Sequence, residues 1–199
     1  RPAKGGPQGW AIVPLGEKRG RRRGWRRGRH VGLTTMPRQI FSFDPPERLV
    51  VGTVGQPGER TFFLQARGGG QLTSVVLEKV QVAVLAERLE ELLDELVRGA
   101  GGAAAVPAVA PVELDDTAPL EQPILEEFRV GTLSLGWDPD DERVVIQAQA
   151  VTEGDAAETT DDPEAGGEPV FIDDDAEGPA VLRVRVSGAV ARAFTKRAL

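Results

Sequence analysis

The charge of this chain reverses sign along its length, and the reversal limits where a folded domain can lie. Residues 1–35 hold ten Lys/Arg and one Glu, a surplus of nine positive charges; with −7 for the whole chain, the remainder carries −16. The basic stretch has Gly throughout and neither a helical nor a strand period, whereas beyond Met36 short apolar runs alternate with Gly, Pro and Asp. Residues 1–35 are therefore expected to be a disordered basic arm outside the native protein, which would begin at Met36, the only methionine. Residues 36–199 are expected to form one domain.

Several chemistries are excluded by what that domain lacks. There is no Cys, and the one His, His30, lies in the arm. Disulfides, Cys/His zinc sites, Ser-His-Asp and Cys-His centres and the H-E-x-x-H helix are all ruled out. The sequence thus calls for no metal and no cofactor in this chain. No apolar run is long enough to span a bilayer, and the basic run 18–27 lacks the apolar stretch of a secretory signal, so membrane insertion is not expected and the chain reads as cytoplasmic. Trp10 and Trp25 among the arginines could stack on bases, but a body this acidic repels nucleic acid.

Short apolar stretches at 40–43, 49–54, 60–67 and 72–77 read as strands, separated by Asp44-Pro45-Pro46, Gln56-Pro57-Gly58 and Gly68-Gly69-Gly70. A helix follows over 78–98, because Val82, Leu85, Leu89, Leu92, Leu93 and Leu96 recur at helical spacing opposite an acidic face. Residues 100–127 have no period and form a connection that is mobile or draped over the sheet. Strands at 128–137 and 143–151 come next, then 152–178 with eleven acids and no Lys or Arg, a mobile loop apart from a local contact at Val170-Phe171-Ile172. Strict alternation over 181–186 gives a last strand, and Ser187 caps a final helix.

The two halves read as one unit written twice. Gly52-Thr53-Val54 answers to Gly131-Thr132-Leu133, Glu59-Arg60 to Glu142-Arg143, and Gln65-Ala66 to Gln147-Ala148, each set in the same order before a helix. The expected fold is α+β: an antiparallel sheet built from two β-β-β-α units, with both helices packed on one face.

The segments Met36–Arg48, Gly52-Thr53-Val54-Gly55, Arg60–Ala66, Leu77–Gln81 and Phe128–Thr132 resemble the actinobacterial family called domain of unknown function 3090 over residues 36–199. The resemblance implies no activity. It does imply that members continue past Leu199 into a Cys/His-rich tail similar to a small zinc-binding knuckle, so zinc would belong to a tail that this chain lacks.

Of the remaining motifs, Gly68-Gly69-Gly70 leads into a strand and so reads as a hairpin turn, not a phosphate loop. Asp138, Asp140 and Glu142 read as a polar turn and Asp173-Asp174-Asp175 as a solvated run, in preference to cation sites. What stands out is a set of polar residues inside or beside apolar strands: Arg60, Gln65, Glu78, Lys79, Gln81, Arg143 and Gln147. They are the candidate ligand-binding residues, and no catalytic residue can be named. The leading functional expectation is a non-catalytic binding or adaptor module with a protein partner. The alternatives are an enzyme acting on a phosphorylated or nucleotide substrate through carboxylates and Lys/Arg, and then nucleic-acid binding.

Overall fold

The computed structural model describes residues 38–99, 106–152 and 178–198, together with the backbone of 12–14. The strands are β1 (Ile12–Pro14), β2 (Ile40–Phe43), β3 (Arg48–Val54), β4 (Thr61–Gly68), β5 (Gln71–Leu77), β6 (Glu126–Asp138), β7 (Arg143–Ala150) and β8 (Val181–Ser187). Two helices, α1 (Lys79–Gly99) and α2 (Gly188–Ala198), follow β5 and β8. The β-β-β-α order thus occurs twice.

Local chemistry accounts for most of these elements. Gly69 and Gly70 both have positive φ, 58° and 77°, which is the two-residue turn that joins strands of right-handed twist, and it closes the β4–β5 hairpin. At the start of α1 the Gln81 side chain reaches back to accept from the Glu78 N–H at 2.8 Å, a cap that fixes where strand becomes helix. Ser187 Oγ accepts from the Val190 N–H at 3.3 Å and starts α2 in the same manner.

The sheet is mixed, which corrects the expectation of an antiparallel one. Its path runs β2-β8-β7-β6-β5-β4-β3, with β1 beside β6, and the β2–β8, β5–β6 and β1–β6 pairs are parallel. The physical reason lies at the joint between the units. β5 runs into α1, and the chain must cross over before β6 can lie beside it, and a crossover of this kind delivers a parallel neighbour. Within each unit the strands are antiparallel, as hairpins require.

The two ends of that path, β2 and β3, are consecutive in the chain. Glu47 N already bonds Arg67 O of β4 at 2.7 Å, while Phe43 of β2 pairs with Val184 of β8. The sheet therefore curls until its ends meet, and residues 40–54 act as one kinked strand. β6 behaves alike: its first residues pair with β5 and the rest with β7.

One face of this curled sheet forms the main core with both helices. Leu64, Ala66, Leu133, Ile146 and Leu182 lie there against Leu85, Leu89 and Phe194. α1 packs across β6, α2 across β3, and the helices pack on each other. Burying each large aliphatic side chain contributes about 1.5–3 kcal/mol, so this face supplies most of the stabilisation. On the other face Val50, Phe63 and Val76 are covered by Leu120.

Strand register also revises the matching of the two halves. Gln65 pairs with Val50 and Ser74, Gln147 with Ser134 and Arg183, so the two glutamines do occupy equivalent places. Gly52 lies opposite Phe63 and Gly136 opposite Val145, which aligns Gly52 with Gly136, not with Gly131. Likewise Thr61 and Arg143 open the second strands, so Arg143 corresponds to Thr61, not to Arg60. Gly131 instead marks a bulge, where a Cβ would fall 2.9 Å from Val151 Cα.

Candidate functional site

The outer sheet face carries the two glutamines that interrupt β4 and β7. Gln65 is buried at 2% exposure and uses both ends of its amide. Its Nε2 donates to Ser74 Oγ at 3.0 Å and to Glu121 O at 3.1 Å, while its Oε1 accepts from Glu121 N–H at 2.8 Å. A side-chain amide thus pairs with the main chain of the connecting segment as a neighbouring strand would. Leu120, next to it, lies over Gly52, where a Cβ would come within 2.7 Å of Leu120 Cγ; the missing side chain lets the segment approach this closely.

Gln147 occupies the matching place and is buried to the same 2%. Its Oε1 is buried and has no hydrogen-bond partner among the described residues. Around it the composition differs from the first half. Where Val50, Phe63 and Val76 form an apolar bed, the register places Ser134, Val145 and Arg185.

The other candidate residues do not converge on this face. Glu78 and Gln81 meet at the start of α1 and fasten it to β6: Glu78 Oε1 accepts from Arg129 Nη1 at 2.8 Å, and Gln81 Nε2 donates to Val130 O at 3.1 Å and Gly131 O at 3.3 Å. Lys79 is exposed on the first turn of that helix, and Arg60 is exposed between β3 and β4. Arg143 is half-buried at the start of β7. The seven residues are therefore spread over a sheet face, a helix cap and a turn.

Charged clusters lie elsewhere. Arg48 Nε donates to Asp116 Oδ2 at 2.6 Å and its Nη2 to Oδ1 at 3.2 Å; Arg197 Nη1 reaches Oδ1 at 3.1 Å and also bonds the Asp116 carbonyl. Hydrogen bonding to Arg48 holds the Asp116 carboxyl below the usual range, and the same bond raises the Arg48 guanidinium. Beside this clamp is a cavity of about 140 Å³ lined by Leu49, Leu114, Asp116, Phe194 and Arg197 among others. A second cluster centres on Arg185, which donates to Asp44 at 2.8 Å, Asp138 at 2.6 Å and Asp141 at 2.7 Å, with its affinity for its proton raised chiefly by the bond to Asp141.

Composition and spacing did not single out Arg48, Asp116, Arg185 or Arg197. Arg48 and Asp116 are separated by 68 residues, Arg197 and Asp116 by 81. The local signal for Asp138 was a turn, and its Oδ1 does accept from the Asp140 N–H at 3.0 Å. Among the described residues no group of three or more His, Cys, Asp or Glu is placed to hold a metal ion, and Asp173-Asp174-Asp175 and Val170-Phe171-Ile172 lie outside them. No helix of the described residues is long and apolar enough to cross a membrane.

No curated protein and no solved structure matches the chain. A family model described as protein of unknown function, DUF3090, matches residues 41–199, a span that takes in both β-β-β-α units from Phe41 of β2 to the end. The chain belongs to the DUF3090 family of proteins of unknown function.

Proposed function

We propose that this protein is a non-catalytic binding or adaptor module that holds an extended main chain of a protein partner against the outer face of its sheet. The observation that carries the reading is the two-way bonding of the Gln65 amide to the main chain of Glu121. It is the chemistry by which a sheet recognises an added strand, performed by a side chain from within the sheet. Two β-β-β-α units, read as an internal duplication, present that glutamine twice.

The charged groups support the same reading. Asp116 is held ionised and Arg48 and Arg185 are held protonated by their ion pairs, so these are fixed charges that brace the fold, not groups poised to exchange protons. The lack of cysteine fits a cytoplasmic setting.

The test is to probe the full chain with an array of random decapeptides and to measure hits by titration calorimetry. Sequence-selective binding supports the reading. Turnover of phosphate esters or nucleotides, with no peptide bound at any position of the array, would overturn it in favour of an enzyme.

A further inference from the structure

We infer that the outward edge of β6 at Leu135 and Trp137 is a strand-docking site, and that its occupant is this chain's own arm. Residues 12–14 enter as a parallel strand, and the basic run behind them meets the acidic turn between β6 and β7. This goes beyond the binding-module reading and does not depend on it.

Alternation along the ladders shows which main-chain groups β6 turns outward. Ala150 N–H bonds Ala180 O on the β8 side at 2.8 Å, while Val151 N–H bonds Arg129 O on the β6 side at 2.9 Å. Val145, an odd-numbered residue like Val151, therefore turns its N–H toward β6. Gly136, opposite Val145, faces back toward β7, which leaves the N–H and C=O of Leu135 and Trp137 on the outward edge. β5 does not reach them, because the chain turns into α1 at Lys79, soon after Val76 pairs with Arg129. Gln81 covers only the next stretch, donating to Val130 O and Gly131 O. An edge left open in this way is a template for another strand.

Ile12–Pro14 is that strand, with Ile12 beside Leu135, Val13 beside Gly136 and Pro14 beside Trp137. A parallel ladder engages alternate residues, and Pro14 has no N–H to give, so Val13 is the residue that bonds both ways. Its N–H donates to Leu135 O and its C=O accepts from Trp137 N–H. Both routes pick out the same two residues of β6. The parallel direction also delivers the chain beyond Pro14 to the turn that follows Trp137, where Asp140 and Glu142 are exposed and make no ion pair among the described residues. Eight of the arm's ten Lys/Arg lie in residues 18–29, the first of them four residues past Pro14, a reach of at most about 14 Å. Between Pro14 and Arg38 there are 23 residues, ample to cross the four strand spacings, about 19 Å, that separate β1 from β2 along the sheet. The arm can therefore reach the edge of its own chain.

The test is amide exchange read residue by residue by NMR on the full chain. Val13→Pro removes the donated N–H and should speed exchange of the Trp137 amide about fivefold. The Gly136 amide, bonded to β7, should stay within about twofold and so reports that the fold is intact. Asp140→Asn combined with Glu142→Gln, or about 0.5 M salt on the parent, should speed the Trp137 amide about twofold.

An unchanged Trp137 amide in Val13→Pro would overturn the docking site. Equal acceleration of the Trp137 and Gly136 amides would place the protection in the whole fold, not in the arm, and would overturn it too. A Trp137 amide indifferent to both salt and the charge substitutions would remove the part assigned to the basic run. Protection that grows with protein concentration, from about 20 µM to 1 mM, would overturn the assignment to the chain's own arm in favour of arm exchange between two copies.

Discussion

Arg48 and Asp116, 68 residues apart, form a two-toothed ion pair at 2.6 and 3.2 Å that fastens the connection after α1 to the strand β3. Arg197 of α2 closes on the same carboxylate and on the main chain beside it. Because a strand, a connection and a helix meet there, removing Arg48 should loosen all three. Arg48→Ala is expected to cost about 1–2 kcal/mol, a figure reduced for the partial exposure of Asp116 and for the bond Arg197 retains. Urea unfolding of the two proteins at pH 7 checks this.

The same pair sets a pH dependence. Asp116 has a lower pKa in the folded chain than in the unfolded one, so its contribution is fully present above the ordinary carboxylate range, near pH 4, and is lost as pH falls through the folded value. Asp116→Asn should therefore flatten the acid limb of the stability curve below about pH 4 relative to the parent. An unchanged limb in unfolding measured from pH 7 down to pH 2.5 would count against the pair.

Gly52 should tolerate no side chain while Leu120 lies over it. Gly52→Ala is expected to destabilise by about 1–3 kcal/mol, because the added Cβ would sit 2.7 Å from Leu120 Cγ. In a Leu120→Ala background the penalty should shrink to a few tenths of a kcal/mol, and a double-mutant cycle by calorimetry measures that coupling.

Arg185 pairs with three aspartates and offsets part of their mutual repulsion. Arg185→Ala is expected to cost about 1–2 kcal/mol at pH 7 in low salt and less in 1 M salt, where the repulsion among the three carboxylates is screened. Equal losses at both salt concentrations in urea unfolding would mean that the guanidinium acts through packing and not through charge.

Deleting residues 1–35 removes the three-residue pairing of β1 with β6 and nothing else described here. A few edge hydrogen bonds stabilise little against the entropy of ordering them, so the melting temperature should move by no more than about 2 °C. A loss of 5 °C or more by calorimetry, on the order of 2 kcal/mol, would assign the arm a structural role.

All seven candidate residues were legible as polar groups inside or beside apolar strands, and for four of them the structure gives the surroundings of the polar atoms. Gln65 bonds a segment 56 residues away, Glu78 and Gln81 fasten α1 to β6, and Gln147 is buried with no partner for its oxygen among the described residues. What no local pattern carried was the identity of those partners. Arg60 and Arg143 looked equivalent because each follows a turn, yet hairpin register moved one of them by a residue.

By itself the sequence determined the elements: period 2 and period 3.6 patterns, two glycines at positive φ, and capping residues act over a few positions and can be read over a few positions. It also determined that this chain forms no disulfide, since a missing cysteine cannot be restored by folding. Only the tertiary structure decided that β5 and β6 run parallel, that the sheet curls until β2 and β3 meet, and that Asp116 lies between Arg48 and Arg197. Each of these is a contact between segments far apart in the chain, selected by which faces can be buried together, and burial is a property of the whole domain.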